Sequence, residues 1–234
     1  MLLAERYIFD GKYKGNFLIT AEIQSDGRGR KKNDWVSNKG GLWFNIVLDH
    51  VTKQDAFTLF IGLCIIESLI NITQCISFKI KWPNDIYLFD YKVGGIICSQ
   101  YKRFNKTSIG IGINTNNEKP NVTNANSIKT LTAITINNEV YQNHIVDCLF
   151  ENLNKYEKNG FTEFIDKYLK YDYLTGKDLT ITTGEQNLVG AYKGVNTQGE
   201  LVLENKEGIH NIISGTIDVK NSAKRRVGVW HNEN

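Results

Sequence analysis

The sequence predicts an α+β fold. A mixed β-sheet with flanking helices is expected over residues 1–174, a small C-terminal β-barrel over 175–221, and a tail over 222–234. Three observations predict it. Residues 17–114 hold several runs that alternate with the two-residue period of a strand. Residues 145–169 carry apolar side chains at helical spacing. After Gly176 the texture changes to short strands between glycine turns. A chain of 234 residues buries ~70–75% of its unfolded surface, enough for a core without disulfide staples.

The elements follow in order. Leu2 to Ile8 is apolar at helical spacing. Phe17 to Gln24 reads as a strand entering a glycine- and base-rich loop, Ser25 to Gly41. Leu42 to Leu48 is apolar enough to be a central strand. Thr52-x-x-Asp55 is a capping-box-like start for a helix that is apolar nearly all round, hence buried. Ile76 to Trp82 alternates strictly and Pro83 stops it. Val93 to Tyr101 and Thr107 to Asn114 form a strand pair around the basic turn Lys102 to Lys106. An Asn-rich loop runs from Asn116 to Asn126. Ile145, Val146, Leu149 and Leu153 mark one amphipathic helix, and Phe161, Phe164, Ile165, Tyr168 and Leu169 mark another. Strands near 179–183, 188–193, 200–204, 209–213 and 216–219 then fit a small closed barrel.

Composition excludes several classes. Hydrophobic residues at 41% and charged residues at 23% are globular values, unlike those of disordered or fibrous chains. A net charge of +3 is too weak to announce nucleic acid as the main partner. No apolar run approaches the ~18–20 residues of a membrane span, and the first residues lack the pattern of a secretion signal. The chain therefore reads as soluble and cytoplasmic. Cys64, Cys75, Cys98 and Cys148 are scattered among apolar neighbours, which suits small buried hydrophobes better than a zinc site or disulfide framework. Phosphate-loop, nucleophile-elbow and His-Glu-x-x-His motifs are absent.

Three segments can carry chemistry. Gln24 to Trp35 contains Gly27-Arg28-Gly29-Arg30. Its glycines permit close backbone approach, and its arginines offer planar donor forks for phosphate or carboxylate. A solvated basic turn is the competing reading. Lys81-Trp82-Pro83-Asn84-Asp85, followed by Lys92-Val93-Gly94-Gly95-Ile96, can present oxygen ligands to Mg²⁺ and an ammonium beside bare backbone. A turn stabilised by its own hydrogen bonds competes there. Ile109 to Asn114 alternates glycine with isoleucine, giving a strand with a glycine face on which something flat can lie.

Taken in order, Ala21–Gln24, Gly27–Arg30, Trp35–Gly41, Lys81–Asp85, Lys92–Ile96 and Gly112–Asn114 resemble the motifs of the biotin–protein ligases. Lys-Trp-Pro-Asn-Asp is the most specific of them. The glycine-rich C-terminal strands resemble that family's small SH3-like domain. The resemblance implies a class II synthetase-like catalytic domain that makes biotinyl-5′-AMP from biotin and ATP. The biotin then passes to a lysine of a biotin carboxyl carrier protein domain. It implies Arg28, Arg30 and Lys92 as the catalytic cations, and Gln24, Gly27, Arg28, Gly29, Arg30, Lys92 and Gly95 as the biotin site. It implies Arg28, Trp35, Asn84, Asn114 and Lys220 toward ATP, with Thr216 nearby, and Asp85 toward Mg²⁺.

Two departures from the family pattern stand in this sequence. The Ser-Thr-Asn segment that precedes the family's first helix has no counterpart before Leu2. Lys31-Lys32-Asn33 replaces a second arginine-glycine-arginine stretch, retaining charge but losing a bidentate fork. The amino-terminal winged-helix domain of some members also has no counterpart. A homodimer along a sheet edge is a further family expectation. The alternatives are a lipoate or octanoate ligase and a non-catalytic biotin or nucleotide binder. A nucleic-acid module using Gly27–Lys32 and Lys224–Arg226 is the most remote.

Overall fold

The structure, a computed structural model, describes residues 2–52, 56–184 and 186–219. The described residues divide into two compact units, 2–173 with 197–199 and 174–196 with 200–219.

The first unit is built on a six-stranded sheet in the order β1-β2-β6-β5-β4-β3. These strands are β1 (Phe17–Ala21), β2 (Leu42–Leu48), β3 (Phe78–Lys81), β4 (Asp85–Leu88), β5 (Tyr91–Tyr101) and β6 (Lys106–Ile113). Every ladder is antiparallel. The expected mixed sheet is therefore corrected: tight turns join β3 to β4, β4 to β5 and β5 to β6, and such turns admit only antiparallel partners. Parallel pairing is confined to isolated bridges, Ile80 to Asp172 and Lys92 to Ala125.

Strand alternation gives the sheet two unlike faces. One carries Phe44, Ile46, Ile80, Ile86, Ile96, Ile109 and Ile111, all at most 3% exposed. Helix α2 (Phe57–Thr73) lies against this face and against α4 (Asn138–Asn159). It is apolar nearly all round because sheet, α4 and α5 (Ile165–Tyr171) enclose it. The opposite face is lined by small and polar residues: Gly95 and Ser99 on β5, and Ser108, Gly110 and Gly112 on β6. Its far end is covered by α1 (Leu2–Phe9), where Ala4 and Ile8 pack with Val47, Phe17, Ile19, Tyr101 and Phe104.

Some boundaries differ from the sequence reading for local reasons. Helix α2 begins at Phe57, and Thr52 does not cap it: the Thr52 N–H is held by Thr107 Oγ1 at 3.1 Å. Asp55 lies outside the described residues. Strand β4 went unread because Asn84 and Asp85 look like a turn; the turn is 82–84, and Asp85 already pairs with Lys81. Helix α3 (Ile128–Thr132), capped by Ser127 Oγ, is too short for periodicity to reveal. Helix α4 begins at Asn138, one turn before buried Tyr141, so its first residues are polar and carry no apolar signal.

The second unit is a five-stranded antiparallel sheet ordered β10-β9-β8-β7-β11. The strands are β7 (Asp178–Thr183), β8 (Gln186–Val195), β9 (Leu201–Asn205), β10 (Gly208–Ile212) and β11 (Thr216–Val219). The two edge strands are consecutive in sequence, joined by Ile213, Ser214 and Gly215. Four strand spacings make a flat sheet about 19 Å wide, whereas that link reaches at most about 14 Å. The sheet must curl. No ladder joins β10 to β11 among the described residues, so the expected closed barrel is corrected to a curled, open sheet.

Candidate functional site

The site is assembled on the open face of the first sheet. Register places Ala21, Trp43, Gly112, Gly95, Asp85 and Lys81 in one row across all six strands. Trp35 lies over the middle of that row. A Cβ added at Gly112 would fall 2.8 Å from the indole Nε1, and one added at Gly95 would fall 3.2 Å from its Cζ3. The glycine face thus receives a flat group, and that group is the chain's own indole. Trp43 supports it edge-on, with ring centroids 6.3 Å apart. Trp35 Nε1 is buried and has no hydrogen-bond partner among the described residues.

The loop that delivers Trp35 folds back on itself. The Gln24 N–H donates to Ser37 O, the Trp35 N–H to Gly27 O at 2.9 Å, and the Gly29 N–H to Asn33 O at 2.6 Å. Ser37 Oγ donates to Gln24 Oε1 at 2.9 Å. Glycine is required at 27, because a Cβ there would sit 2.2 Å from Trp35 O. Beyond Gly29 a 3-10 turn spans Arg30–Lys32, with Lys31 at φ 54°. This compact turn carries Arg30 inward and leaves Arg28 outward.

Arg30 Nη1 donates to Asn84 Oδ1 at 3.2 Å, while Asn84 Nδ2 donates to Ile96 O at 2.8 Å. Asn84 thereby ties the loop to β5. Burial lowers the Arg30 pKa below that of a free guanidinium, and the nearby Asp85 charge opposes the change. Lys92 Nζ pairs with Asp85 Oδ1 at 2.7 Å and lies 5.2 Å from the Trp35 ring centroid. A register shift between Ile86 and Tyr87 brings Lys92 and Gly95, three residues apart, to the same face. Beside them burial raises the Tyr87 pKa well above that of a free phenol, helped by Asp85 and Tyr173. Two cations therefore meet one carboxylate and one neutral amide at the end of a glycine-floored slot. Such an arrangement attracts anions.

The structure gathers Gln24, Gly27, Gly29, Arg30, Trp35, Asn84, Asp85, Lys92 and Gly95 from three segments. Asn114 adjoins them: its N–H donates to Val93 O at 2.7 Å, and its Oδ1 accepts from Asn117 Nδ2 at 3.0 Å. Arg28 is not drawn in. Its exposed side chain meets the equally exposed Asp26, at 3.5 Å, while its backbone bridges to Asp34. Thr216 lies on β11 in the second unit, paired with Thr182. Lys220 lies outside the described residues. Sequence reasoning missed Trp43, Ser37, Asn45 and Ser108. None of the four belongs to a local pattern of its own; Asn45 is a lone polar residue at the centre of an otherwise apolar strand.

Against known proteins, residues 2–116 match the model of the biotin/lipoate A/B protein ligase family. The match takes in just under half of the chain. The bifunctional ligase/repressor BirA of Bacillus spizizenii is 28% identical to this chain over 214 residues. That match takes in 86% of this chain and 66% of the relative, so the chain spans just under two thirds of that relative's length. Biotin–protein ligase 2 of Arabidopsis thaliana is 37% identical over 112 residues, 44% of this chain and 34% of the relative. Among solved structures, the biotin protein ligase from Aquifex aeolicus in complex with biotin and ATP superposes with a TM-score of 0.82. It is 29% identical, with 92% of this chain and 93% of that one covered. In this chain the slot, the glycine floor and the two inward cations all lie in the first unit.

Proposed function

We propose that this chain is an ATP-dependent biotin–protein ligase, which joins biotin to ATP as biotinyl-5′-AMP and transfers the acyl group to a carrier-domain lysine. The observation that carries the reading is the convergence of Arg30 and Lys92 on Asn84 and Asp85 at one end of the slot. Adenylation must bring a carboxylate against the α-phosphate, so two anions have to be screened together. Lys92 would exchange Asp85 for the substrate carboxylate and the phosphate. Arg30, held by a neutral amide rather than a carboxylate, is available to phosphate without breaking an ion pair. Gln24 and the Gly27–Arg30 backbone would line the acyl site, with Gly95 giving clearance. Asn84, Asn114, Trp35 and Arg28 would face the nucleotide, as would Lys220. Arg28 would have to turn inward when ligand arrives, as part of a loop that orders over the adenylate and excludes water.

Mg²⁺ fits the donor set in a limited way. No cluster of three metal-binding side chains exists among the described residues, but Mg²⁺ needs only one or two carboxylates when phosphates supply the rest. Asp85, half-buried beside the cations, is the carboxylate that would hold it. The ion would supply further neutralisation of phosphate charge. The carrier lysine then attacks the acyl carbon and AMP leaves, with no covalent enzyme intermediate. This agrees with the absence of a nucleophile motif.

The same reading takes residues 1–174 as the catalytic domain and 175–221 as an SH3-like domain. It places the protein in the cytoplasm; no helix among the described residues is long and apolar enough to cross a membrane. A homodimer would form along β1 or β3, the two sheet edges. Incubation with labelled biotin, Mg·ATP and a biotin carrier domain should label the carrier lysine. Preference for lipoate or octanoate over biotin would instead establish the related ligase, and ligand binding without pyrophosphate release would establish a non-catalytic binder.

A further inference from the structure

The slot has a second row of residues, and that row contains a polar group without a partner. Register pairs Ile19 with Asn45, Asn45 with Gly110, and Gly110 with Ile97. This is the same face as the Trp43–Gly112–Gly95 row, two residues further along the strands. Asn45 is 3% exposed and Ser108 is 1% exposed. Ser108 Oγ donates to Asn45 Oδ1 at 3.0 Å, yet Asn45 Nδ2 has no hydrogen-bond partner among the described residues. A buried donor left unmade is costly, and native folds keep one only where something else completes it. The neighbour of Asn45 on β6 is Gly110, which sets no side chain beside the carboxamide. Gly110 and Ile97 are both partly exposed.

Distance identifies what reaches this point. Two strand residues span about 6.8 Å. A substrate whose carboxylate meets Lys92 and Arg30, and whose chain crosses Gly95 and Gly112, would bring its far end over the Asn45–Gly110–Ile97 row. We propose that Asn45, oriented by Ser108, is a specificity-determining residue that selects an acyl substrate whose ring head carries a hydrogen-bond acceptor. A cyclic urea meets this requirement. A dithiolane or a plain alkyl end does not, and binding either would leave Nδ2 buried and unpaired. This inference rests on the proposed ligase reading and adds to it the residue that separates polar from apolar heads.

The test measures adenylate formation from biotin and from lipoate in the wild-type chain, in Asn45→Leu, and in Asn45→Leu combined with Ser108→Ala. Leucine keeps the branching and heavy-atom count of asparagine without its polar atoms, and the double variant leaves neither partner orphaned. It serves if the single variant loses its fold, which melting of the ligand-free proteins reads separately. The expected result is a rise of roughly 10–100-fold in KM for biotin. The KM for ATP and the KM for lipoate should stay within about twofold of wild type. An unchanged KM for biotin would overturn the proposal. So would equal losses for biotin and lipoate, which would make Asn45 a scaffold for the slot rather than its selector. Absence of biotin adenylation by the wild-type chain would instead sink the ligase reading, so the two failures are distinct.

Discussion

Gly94 and Gly95 are adjacent on β5 but face opposite ways, so glycine-to-alanine substitutions can separate the fold from the slot. The decisive variant is Gly112→Ala, directly across from Gly95. Its new Cβ would lie 2.8 Å from Trp35 Nε1, 2.9 Å from Cε2 and 3.1 Å from Cζ2. Ordinary carbon contacts are about 3.5–4.0 Å, so the indole must lift by roughly 0.7–1 Å. Overpacking of this kind costs about 1–3 kcal/mol in a closed core. Here the obstruction is a half-buried side chain on a loop, which moves more easily than the sheet. The cost should therefore appear mainly in the slot, where the displaced indole narrows the space for ligand. If all of it fell on binding, 1–3 kcal/mol would raise KM for the acyl substrate about 5–150-fold.

Gly94→Ala is the control. Its Cβ would meet Ile113 Cδ1 at 2.7 Å, Gly112 O at 3.1 Å and Ile86 Cβ at 3.3 Å, all on the helix-covered face. The same range of strain there should lower stability, by about 2–4 °C in melting temperature per kcal/mol for a chain of this size. Its KM should not change. Adenylate formation, tryptophan fluorescence and thermal melting together read both variants. Normal KM and unshifted fluorescence in Gly112→Ala would refute the placement of Trp35 as a wall of the slot.

Other outcomes follow from the same geometry. Lys92→Ala should slow adenylation by an amount equivalent to about 2–4 kcal/mol, the scale of one preorganised charge donor. Its melting temperature should move little, since the pair with Asp85 is partly solvated; a normal adenylation rate would refute its role. Arg30→Gly frees Asn84 Oδ1 and loosens the loop, so stopped-flow release of the adenylate should be faster than in the wild type. An unchanged release rate would leave the loop a surface turn. Asp49 accepts a hydrogen bond from Lys106 Nζ and another from the Gly15 N–H, and these lower its pKa. A lowered carboxylate pKa adds stability above the unfolded value of about 3.9, and this is lost as pH falls through the folded value. The stability gap between wild type and Asp49→Asn should therefore close as urea melts are taken from pH 7 to below about pH 4. A gap independent of pH would refute the coupling.

How legible the site was depends on which residues encode it locally. The motif Lys81–Asp85 could be read because a hairpin turn is a local object: Pro83 stops β3, Asn84 completes the turn and Asp85 opens β4. Gly110 and Gly112 could be read as a face awaiting something flat, since alternation along one strand exposes a glycine row. What fills that face could not. Trp35 arrives from a loop some sixty residues earlier, and its position depends on the Gly27, Gly29 and Ser37 hydrogen bonds, none of which has a period. Arg28 and Arg30 show the limit most clearly. They are two residues apart in one basic run and equivalent by composition. A single 3-10 turn with Lys31 in the left-handed region sends Arg30 to Asn84 and leaves Arg28 beside Asp26. Asn45 was hidden for the opposite reason. An apolar strand with every residue buried reads as pure core, and a lone polar residue in it carries no motif. Its meaning comes from register, which sets it beside Gly110 on the open face. Residues whose role is fixed by a turn can be read along the chain; those whose role is fixed by a neighbour on another strand appear only once the strands are paired.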